Sequence, residues 1–454
     1  MSVAGERLDL GQVPGYERMA RRVLGHTVDW LTTEHWLVGA SLSRILLGCW
    51  GIYYYLLHYP VRHLLWGPNG FWPHDRFVRE LELFSVWQLS PEVVVFEALY
   101  AAGVVIALLY SVGLWPRLIG LLHWVMIWSL QERNPLLGDG GDNFMRIVLL
   151  FLVLANTGAH FSPHAGPGPP RPGFRREIRA VAHNAAVLII IAQLAFLYMS
   201  TGLYKAMGEL WQNGTALYYI LRVRDFSWPG VAEYLYRNPF LVVLGTYGTV
   251  LFEVTFAPLL LNRWTRYIMI LSGVAFHTAI ALVMGLVTFG WSMLSIYPLL
   301  LTDNEYLRSK SWLASRIRLT VFYDGWCSMC IRSVRLLGRL DLLGWLTMVS
   351  FRDQETVTRY PLDLDRLERR MQVAGASGKV REGMDAVLLV ISRLPPLWPL
   401  LPLLAACRLA WGQRAYDWLA TRRLIIVPGA CGRVRPCKEA QTVGTETPRG
   451  HSGD

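Results

Sequence analysis

Long apolar runs separated by short polar breaks fill the first two thirds of the chain. Beyond them the pattern changes to short alternating blocks. Eight runs read as membrane spans, at 37–57, 93–114, 118–130, 144–159, 185–202, 240–261, 267–284 and 286–301. About twenty apolar residues cross a ~30 Å hydrocarbon core, so the third run is short for that task. Gly285 separates the last two, which read as two spans or as one kinked or re-entrant pair. Residues 1–36 form a polar, partly amphipathic lead-in without a cleavable signal pattern. The loop at 59–93 holds a turn signal, Gly67-Pro68-Asn69-Gly70, and the stretch RFVRELELFSVWQL, which reads as an amphipathic helix on the membrane surface. The loop at 131–143, QERNPLLGDGGDN, is acidic and glycine-rich, and 203–238 is polar and aromatic.

From about residue 317 the periods become those of a soluble α/β domain. RLTVFYDG and LTMVSF read as strands, CSMCIRSVRLLGRLD as a basic amphipathic helix, and DLDRLERRMQV as a charged helical stretch. MDAVLLVISRL fits strand or helix. The proline-broken LPPLWPLLPLLAACRLAWG reads as a packed or membrane-surface segment rather than a ninth span. The expected organisation is a lead-in (1–36), a membrane domain (37–302), a basic linker (303–317), an α/β domain (318–437) and a disordered tail (438–454).

Composition supports that division. The chain is 53% hydrophobic and only 17% charged, against roughly a quarter charged for ordinary soluble proteins. Its net charge of +11 has no interleaved aromatic and basic pattern behind it, which argues against nucleic acid as a partner. The basic residues instead gather beside alternate apolar runs: Arg18, Arg21 and Arg22; Arg117; Arg171, Arg175, Arg176 and Arg179; Arg263 and Arg266; Arg308, Lys310, Arg316 and Arg318. With eight spans, the positive-inside rule puts both termini in the cytoplasm and the lipid bilayer around the rest.

Two places carry candidate chemistry. In Tyr198-Met-Ser-Thr-Gly-Leu-Tyr-Lys205, a lysine stands where an apolar run ends, followed by Trp211 at interface spacing. Such a lysine either snorkels to the headgroups or, partly desolvated, gives up its proton readily and serves as a base. His277 lies within the seventh run and Glu253 within the sixth, depths at which an ionisable side chain is a functional candidate. Arg146 follows Asp139, Asp142 and Asn143 at the start of the fourth run. A mutual pairing of Glu253, Arg146 and His277 is the competing, purely structural expectation.

The second place is Tyr323-Asp324-Gly325-Trp326-Cys327-Ser328-Met329-Cys330, between a strand and a helix. A thiol at a helix N-terminus is activated by the dipole and free amides, so Cys327 reads as the attacking and Cys330 as the resolving thiol of a redox-active pair. The competing reading is half of a zinc site, for which Cys431 and Cys437 would be unusually spaced partners. No metal is expected. The remaining cysteines, Cys49 and Cys407, form no local motif.

The pattern of GDGGD at 138–142, TGLYK with its following Trp211 and Gly214, Glu253 with the Pro258 and Arg263 that follow it, and Phe276-His277 before a glycine-containing apolar pair resembles the HTTM family over about 36–302. That family includes vitamin K-dependent gamma-carboxylase and bacterial proteins similar to the sporulation-delaying-toxin maturation factor. The resemblance implies that Lys205 deprotonates a quinol, with His277 in the same cavity, and that a menaquinone- or vitamin K-like quinone is the cofactor. The carboxylase has a functional histidine where this chain has Asp142-Asn143, and a β-rich lumenal domain without counterpart here. Carboxylation of protein glutamates is therefore not implied, whereas a quinone and a peptide or protein substrate are. The YDGxCxxC motif and the later REGMDAVLLVISRLP resemble the DCC family of thiol-disulfide oxidoreductase-like domains, implying a thioredoxin-like fold in which Asp324 positions the thiols or takes a proton.

Together these readings predict an α-helical polytopic membrane bundle of about eight spans, in a bacterial inner (plasma) membrane, fused to a small C-terminal α/β thioredoxin-like domain. The expected function is a redox- or quinone-linked membrane enzyme. The alternative is a non-catalytic membrane partner for maturation, export or immunity of a peptide.

Overall fold

The computed structural model describes residues 15–401 apart from 164, 166–172, 225–226, 229, 327, 342–343, 353–366, 368–370 and 377. The chain divides into two compact units, Met1–Tyr306 and Leu307–Asp454.

The first unit is helical: α1 (Gly15–Leu31), α2 (Leu37–His58), α3 (Val93–Val112), α4 (Pro116–Arg133), α5 (Gly140–Leu154), α6 (Phe174–Ala206), α7 (Ala216–Ile220), α8 (Val231–Tyr236), α9 (Pro239–Leu259), α10 (Arg263–Met284), α11 (Val287–Leu294) and α12 (Asp303–Ile317), the last crossing into the second unit. Among the described residues, five segments are long and apolar enough to cross a membrane: α2 with its continuation to Trp66, α3, α6, α9 and α10. They account for the first, second, fifth, sixth and seventh predicted spans. The other three predicted spans are also helical but do not meet that standard. α4 carries Arg117 and Glu132-Arg133 at its ends, α5 has 15 residues, and α11 has eight before a 3-10 turn at Tyr297–Leu300. The protein is an integral membrane protein by these helices and their apolar exposed faces.

Starts and stops follow local chemistry. Pro116 occupies the first turn of α4, where its missing N–H costs nothing. Asn238 and Asn262 cap α9 and α10 by accepting from the first free amides, Phe240 N and Leu241 N in one case and Trp264 N in the other. A fully buried Arg44 ties the last turn of α3 and the loop after α5 to α2, donating to the carbonyls of Tyr110, Ser111, Thr157 and Phe161. The turn at 67–70 forms as expected. The amphipathic helix expected beyond it is broken: only His74–Glu80 is α-helical, and the chain then extends to a 3-10 turn at Val86–Gln88. Ser85 and Ser129 bond across to hold that extension on α4, so tertiary contact overrides the local period.

The second unit holds a four-stranded mixed sheet ordered β2-β1-β3-β4, from β1 (Leu319–Tyr323), β2 (Leu346–Ser350), β3 (Gln372–Ala374) and β4 (Val380–Glu382). β1 and β2 are parallel and joined through α13 (Ser328–Leu340); β1–β3 and β3–β4 are antiparallel. α14 (Gly383–Ile391) settles the ambiguity of MDAVLLVISRL in favour of helix. Leu319, Val321 and Val373 pack with Ala386 and Val390 in one apolar cluster, while Phe322, Phe351 and Ala374 form another. Most of the charged stretch expected to be helical lies outside the described residues, and its end is strand instead. Gln372 and Val373 pair with Phe322 and Val321, and Val373 is fully buried. The expected linker is helix α12.

Candidate functional site

Lys205 lies in the last turn of α6 and meets Glu253 of α9. Its Nζ is 2.7 Å from both carboxylate oxygens, with the lysine side chain 26% and the glutamate side chain 6% exposed. The helices touch closely because residue 202 is glycine: a Cβ there would stand 2.8 Å from the Glu253 Cβ and 2.9 Å from the Val254 backbone nitrogen. Glu253 is about 21 Å along α9 from Pro239 and about 9 Å from Leu259 at 1.5 Å per residue. The ion pair therefore lies well within the length of this apolar helix rather than at its end. Trp211, expected as an interfacial anchor, offers its ring to Lys205, 5.5 Å from Nζ to centroid.

His277 of α10 faces the same space and is 1% exposed. Its Nε2 is 2.5 Å from the Tyr198 hydroxyl, which is 2.9 Å from the Tyr297 hydroxyl. Among the described residues Nδ1 has no partner. Either the tyrosines donate toward Nε2 and Nδ1 carries the proton, or the chain of bonds runs the other way and Nδ1 is a free acceptor. Tyr297 reaches this position over Gly273, where a Cβ would fall 1.9 Å from its hydroxyl oxygen. Phe256 and Phe252 hold the Tyr198 ring at centroid distances of 4.4 and 5.3 Å.

Lys205, Glu253, His277 and Tyr198 line one cavity of about 320 Å³, whose remaining wall includes Phe276, Phe289 and Met293. That volume falls at the lower end of the ~300–1,000 Å³ typical of small-ligand pockets, and the lining is of the usual kind, apolar with a few convergent polar groups. Gly140, at the start of α5, also borders it.

The expected grouping of Glu253, Arg146 and His277 does not form. Arg146 instead bonds Glu132 at 2.6 Å and the Asn143 side chain at 3.3 Å, because the nearer carboxylate sits at the end of the adjoining α4. Asp139 and Asp142 form a capping box at the start of α5, each accepting from the other's amide. Burial, and then the neighbouring Asp139 charge, push the Asp142 carboxyl up to about 6.

In the second unit Cys327 lies outside the described residues, as do Cys407, Cys431 and Cys437. Cys330 is half-buried in the first turn of α13. Asp324 accepts from the Trp326 amide at 3.0 Å and from the Arg352 guanidinium at 3.0 and 2.9 Å. Arg352 also lies over the Trp326 and Phe351 rings, at 4.5 and 4.9 Å. Asp324 thus pins the strand-to-helix loop that leads into the thiols. Among the described residues no three His, Cys, Asp or Glu side chains gather as a metal site.

The sequence alone does not single out Tyr198, Tyr297 or Arg352. Tyr198 stands seven residues before Lys205, on the same helical face, which is a signal the sequence does contain. Tyr297 and Arg352 become relevant only through contacts distant in sequence.

Residues 175–304 match the HTTM domain family, and residues 321–427 match the DCC1-like thiol-disulfide oxidoreductase family. The first range contains Tyr198, Lys205, Glu253, His277 and Tyr297; the second contains Asp324, Cys327, Cys330 and Arg352. The uncharacterized protein YitO of Bacillus subtilis (strain 168) is 28% identical over 225 residues, 46% of this chain and 70% of the relative. The sporulation-delaying protein SdpB of the same strain is 28% identical over 222 residues, 48% of this chain and 68% of the relative. No solved structure matches the chain.

Proposed function

We propose that this protein, with its HTTM and DCC1-like domains, is a bacterial plasma-membrane enzyme in the maturation of a peptide, pairing intramembrane proton chemistry with thiol–disulfide exchange. The carrying observation is the single cavity onto which Lys205, Glu253, His277 and Tyr198 converge. Similarity to a protein named for delaying sporulation supports a peptide substrate. If α4, α5 and the 287–300 stretch are counted as shorter crossings, eight passes leave both termini in the cytoplasm, with the arginine clusters on their side.

A quinol, or another apolar molecule with an acidic hydroxyl, is the ligand this cavity suits. Its O–H proton passes to the Lys205–Glu253 pair. Whether carboxylate or amine receives it, the product is an ammonium beside a carboxylic acid, with the new oxyanion held by the ammonium. Glu253 is therefore as necessary as Lys205. His277 Nδ1 addresses a second polar atom of the ligand, and Tyr198 with Tyr297 lets the imidazole present either a donor or an acceptor. In the soluble unit, the Cys327 thiolate attacks a substrate disulfide to give a mixed disulfide. Cys330 then displaces the reduced substrate and leaves a Cys327–Cys330 disulfide. The βαβ context with CxxC opening the helix supports the thioredoxin-like reading.

Native mass spectrometry of detergent-purified protein, wild type beside Lys205→Ala and Glu253→Gln, tests the membrane half. A co-purifying isoprenoid quinone in the wild type, lost in both variants, supports this reading. Absence of quinone from folded wild type overturns it. One observation favours the non-catalytic alternative: both oxygens of Glu253 are spent on Lys205. A pair that merely anchors charge keeps full biological activity as Lys205→Arg, whereas proton transfer does not.

A further inference from the structure

A second hollow, of about 640 Å³, opens between the short helices α7 and α8 and the first turns of α9, away from Lys205. It is lined by Thr215, Tyr218, Arg222, Tyr236, Arg237 and Val243, among others. Arg222 dominates it. Its guanidinium lies over the rings of both Tyr218 and Tyr236, at 5.0 and 6.0 Å, and donates to the Tyr218 hydroxyl at 2.7 Å. Among the described residues no carboxylate pairs with Arg222, whereas Arg237 is engaged with Glu233. The hollow thus presents an oriented cation with hydrogen-bond donors to spare.

Its place on the fold decides what fits. Pro239 and Val243 belong to the first turns of the membrane-crossing α9, and Phe240, Val243 and Leu244 are 70%, 42% and 57% exposed there. The polar end of the hollow therefore continues into an apolar strip along a spanning helix. A guanidinium between tyrosines at such a boundary matches a phosphate diester at headgroup depth, with an acyl chain following Val243 and Leu244. A free anion would use only half of that surface.

We propose that this hollow is a binding site for an anionic phospholipid, its phosphate on Arg222 and one acyl chain along α9. The site flanks the proton-handling cavity. Leu217 and Ile220 of α7 line that cavity while Tyr218 of the same helix lines the hollow, and Leu217 N is anchored to the Thr246 side chain. A bound lipid would therefore brace the thin partition between the two. The site rests on membrane embedding alone and stands or falls apart from the quinol chemistry.

The test uses full-length protein in detergent, delipidated and titrated with phosphatidylglycerol or phosphatidylcholine under native mass spectrometry. The expected result is one phosphatidylglycerol retained about tenfold more tightly than phosphatidylcholine, with Arg222→Gln lowering that retention about tenfold. Val243→Trp, which keeps the charge and blocks the chain path, also loses the lipid and serves should Arg222→Gln fail to fold. Equal retention of the two lipids, or wild-type retention in both folded variants, overturns the proposal. Displacement of the lipid by millimolar inorganic phosphate, or by an acidic peptide of no lipid character, overturns it as well, because the hollow would then be a plain oxyanion or peptide site.

Discussion

The chain contains two charge pairs with nearly the same contact geometry and opposite surroundings. Lys205–Glu253 and Asp324–Arg352 each make two-point contacts at 2.7–3.0 Å. Around Arg352 the other valences are spent locally: Asp324 also accepts the Trp326 amide, and the guanidinium is stacked on two rings. The side chains are 22% and 25% exposed, so water shares the charge. Glu253 is 6% exposed, is embedded among apolar helices, and borders a cavity. The same contact holds a loop in one setting and in the other stands buried at the wall of a cavity, where the proposed proton transfer would take place; the surroundings make the difference.

The largest effect is expected from breaking the buried pair on one side only. Glu253→Ala leaves an ammonium without its counter-charge and should cost about 3–5 kcal/mol of stability, read as a fall in thermal midpoint in detergent. Replacing both partners, as Lys205→Met with Glu253→Leu, should recover most of that loss while quinone retention stays abolished. Recovery of both would mean that the pair only holds the helices together.

Asp142 provides a buried carboxylate with no cation at ion-pair distance among the described residues. Its carboxyl is pushed up to about 6, first by burial and then by Asp139. The folded form therefore binds protons more tightly than the unfolded form, whose value is near 3.8. Its contribution is fully present below about pH 3.8 and is lost as pH rises through about 6. The span of the effect is at most about 3 kcal/mol. A melting profile between pH 4 and 7 should fall with rising pH in the wild type and flatten in Asp142→Asn; an unchanged slope would assign the titration elsewhere.

Asp324→Ala should cost the second unit about 1–2 kcal/mol, the scale of a partly exposed, bidentate charge-assisted pair. Its disulfide-reducing turnover, with dithiothreitol as reductant, should fall several-fold while the unit stays folded. Tyr198→Phe is the smallest change in shape. It removes the two buried hydrogen bonds of that hydroxyl, to His277 and Tyr297, each worth about 1 kcal/mol, and keeps the ring on Phe256, so stability should fall only modestly. Quinone affinity and its pH dependence should change, because the His277 tautomer is no longer set from Nε2. A change in melting temperature without a change in binding would make Tyr198 a packing residue.

Local information was enough to reveal the five strongest spans and the strand and helix that flank the cysteine stretch, and it draws attention to Lys205 and His277, which the fold brings to one cavity. Each of these is signalled by its immediate neighbours: an unbroken apolar run, a thiol at a helix start, an ionisable group in hydrocarbon. The partners were hidden. Glu253 stands 48 residues from Lys205 and Tyr198 stands 79 from His277, so their meeting depends on how α6, α9 and α10 pack. Arg146 was assigned the wrong partner for the same reason: its depth in sequence suggested the bundle interior, whereas Glu132 at the adjoining helix end claims it. Strand β3 was misread because a charged stretch of helical period ends in two residues that β1 recruits, a cross-strand contact that no local window contains.

Gly273 has no side chain to bind, donate or titrate, yet it is the floor on which Tyr297 rests within reach of Tyr198. In a comprehensive mutational scan, position 273 should therefore score like a catalytic residue, and even alanine should be poorly tolerated. Second-site suppressors should appear at 297, as smaller side chains, rather than at 205 or 253. Genetics would then trace the outline of the cavity through a residue that contributes to it only by being small.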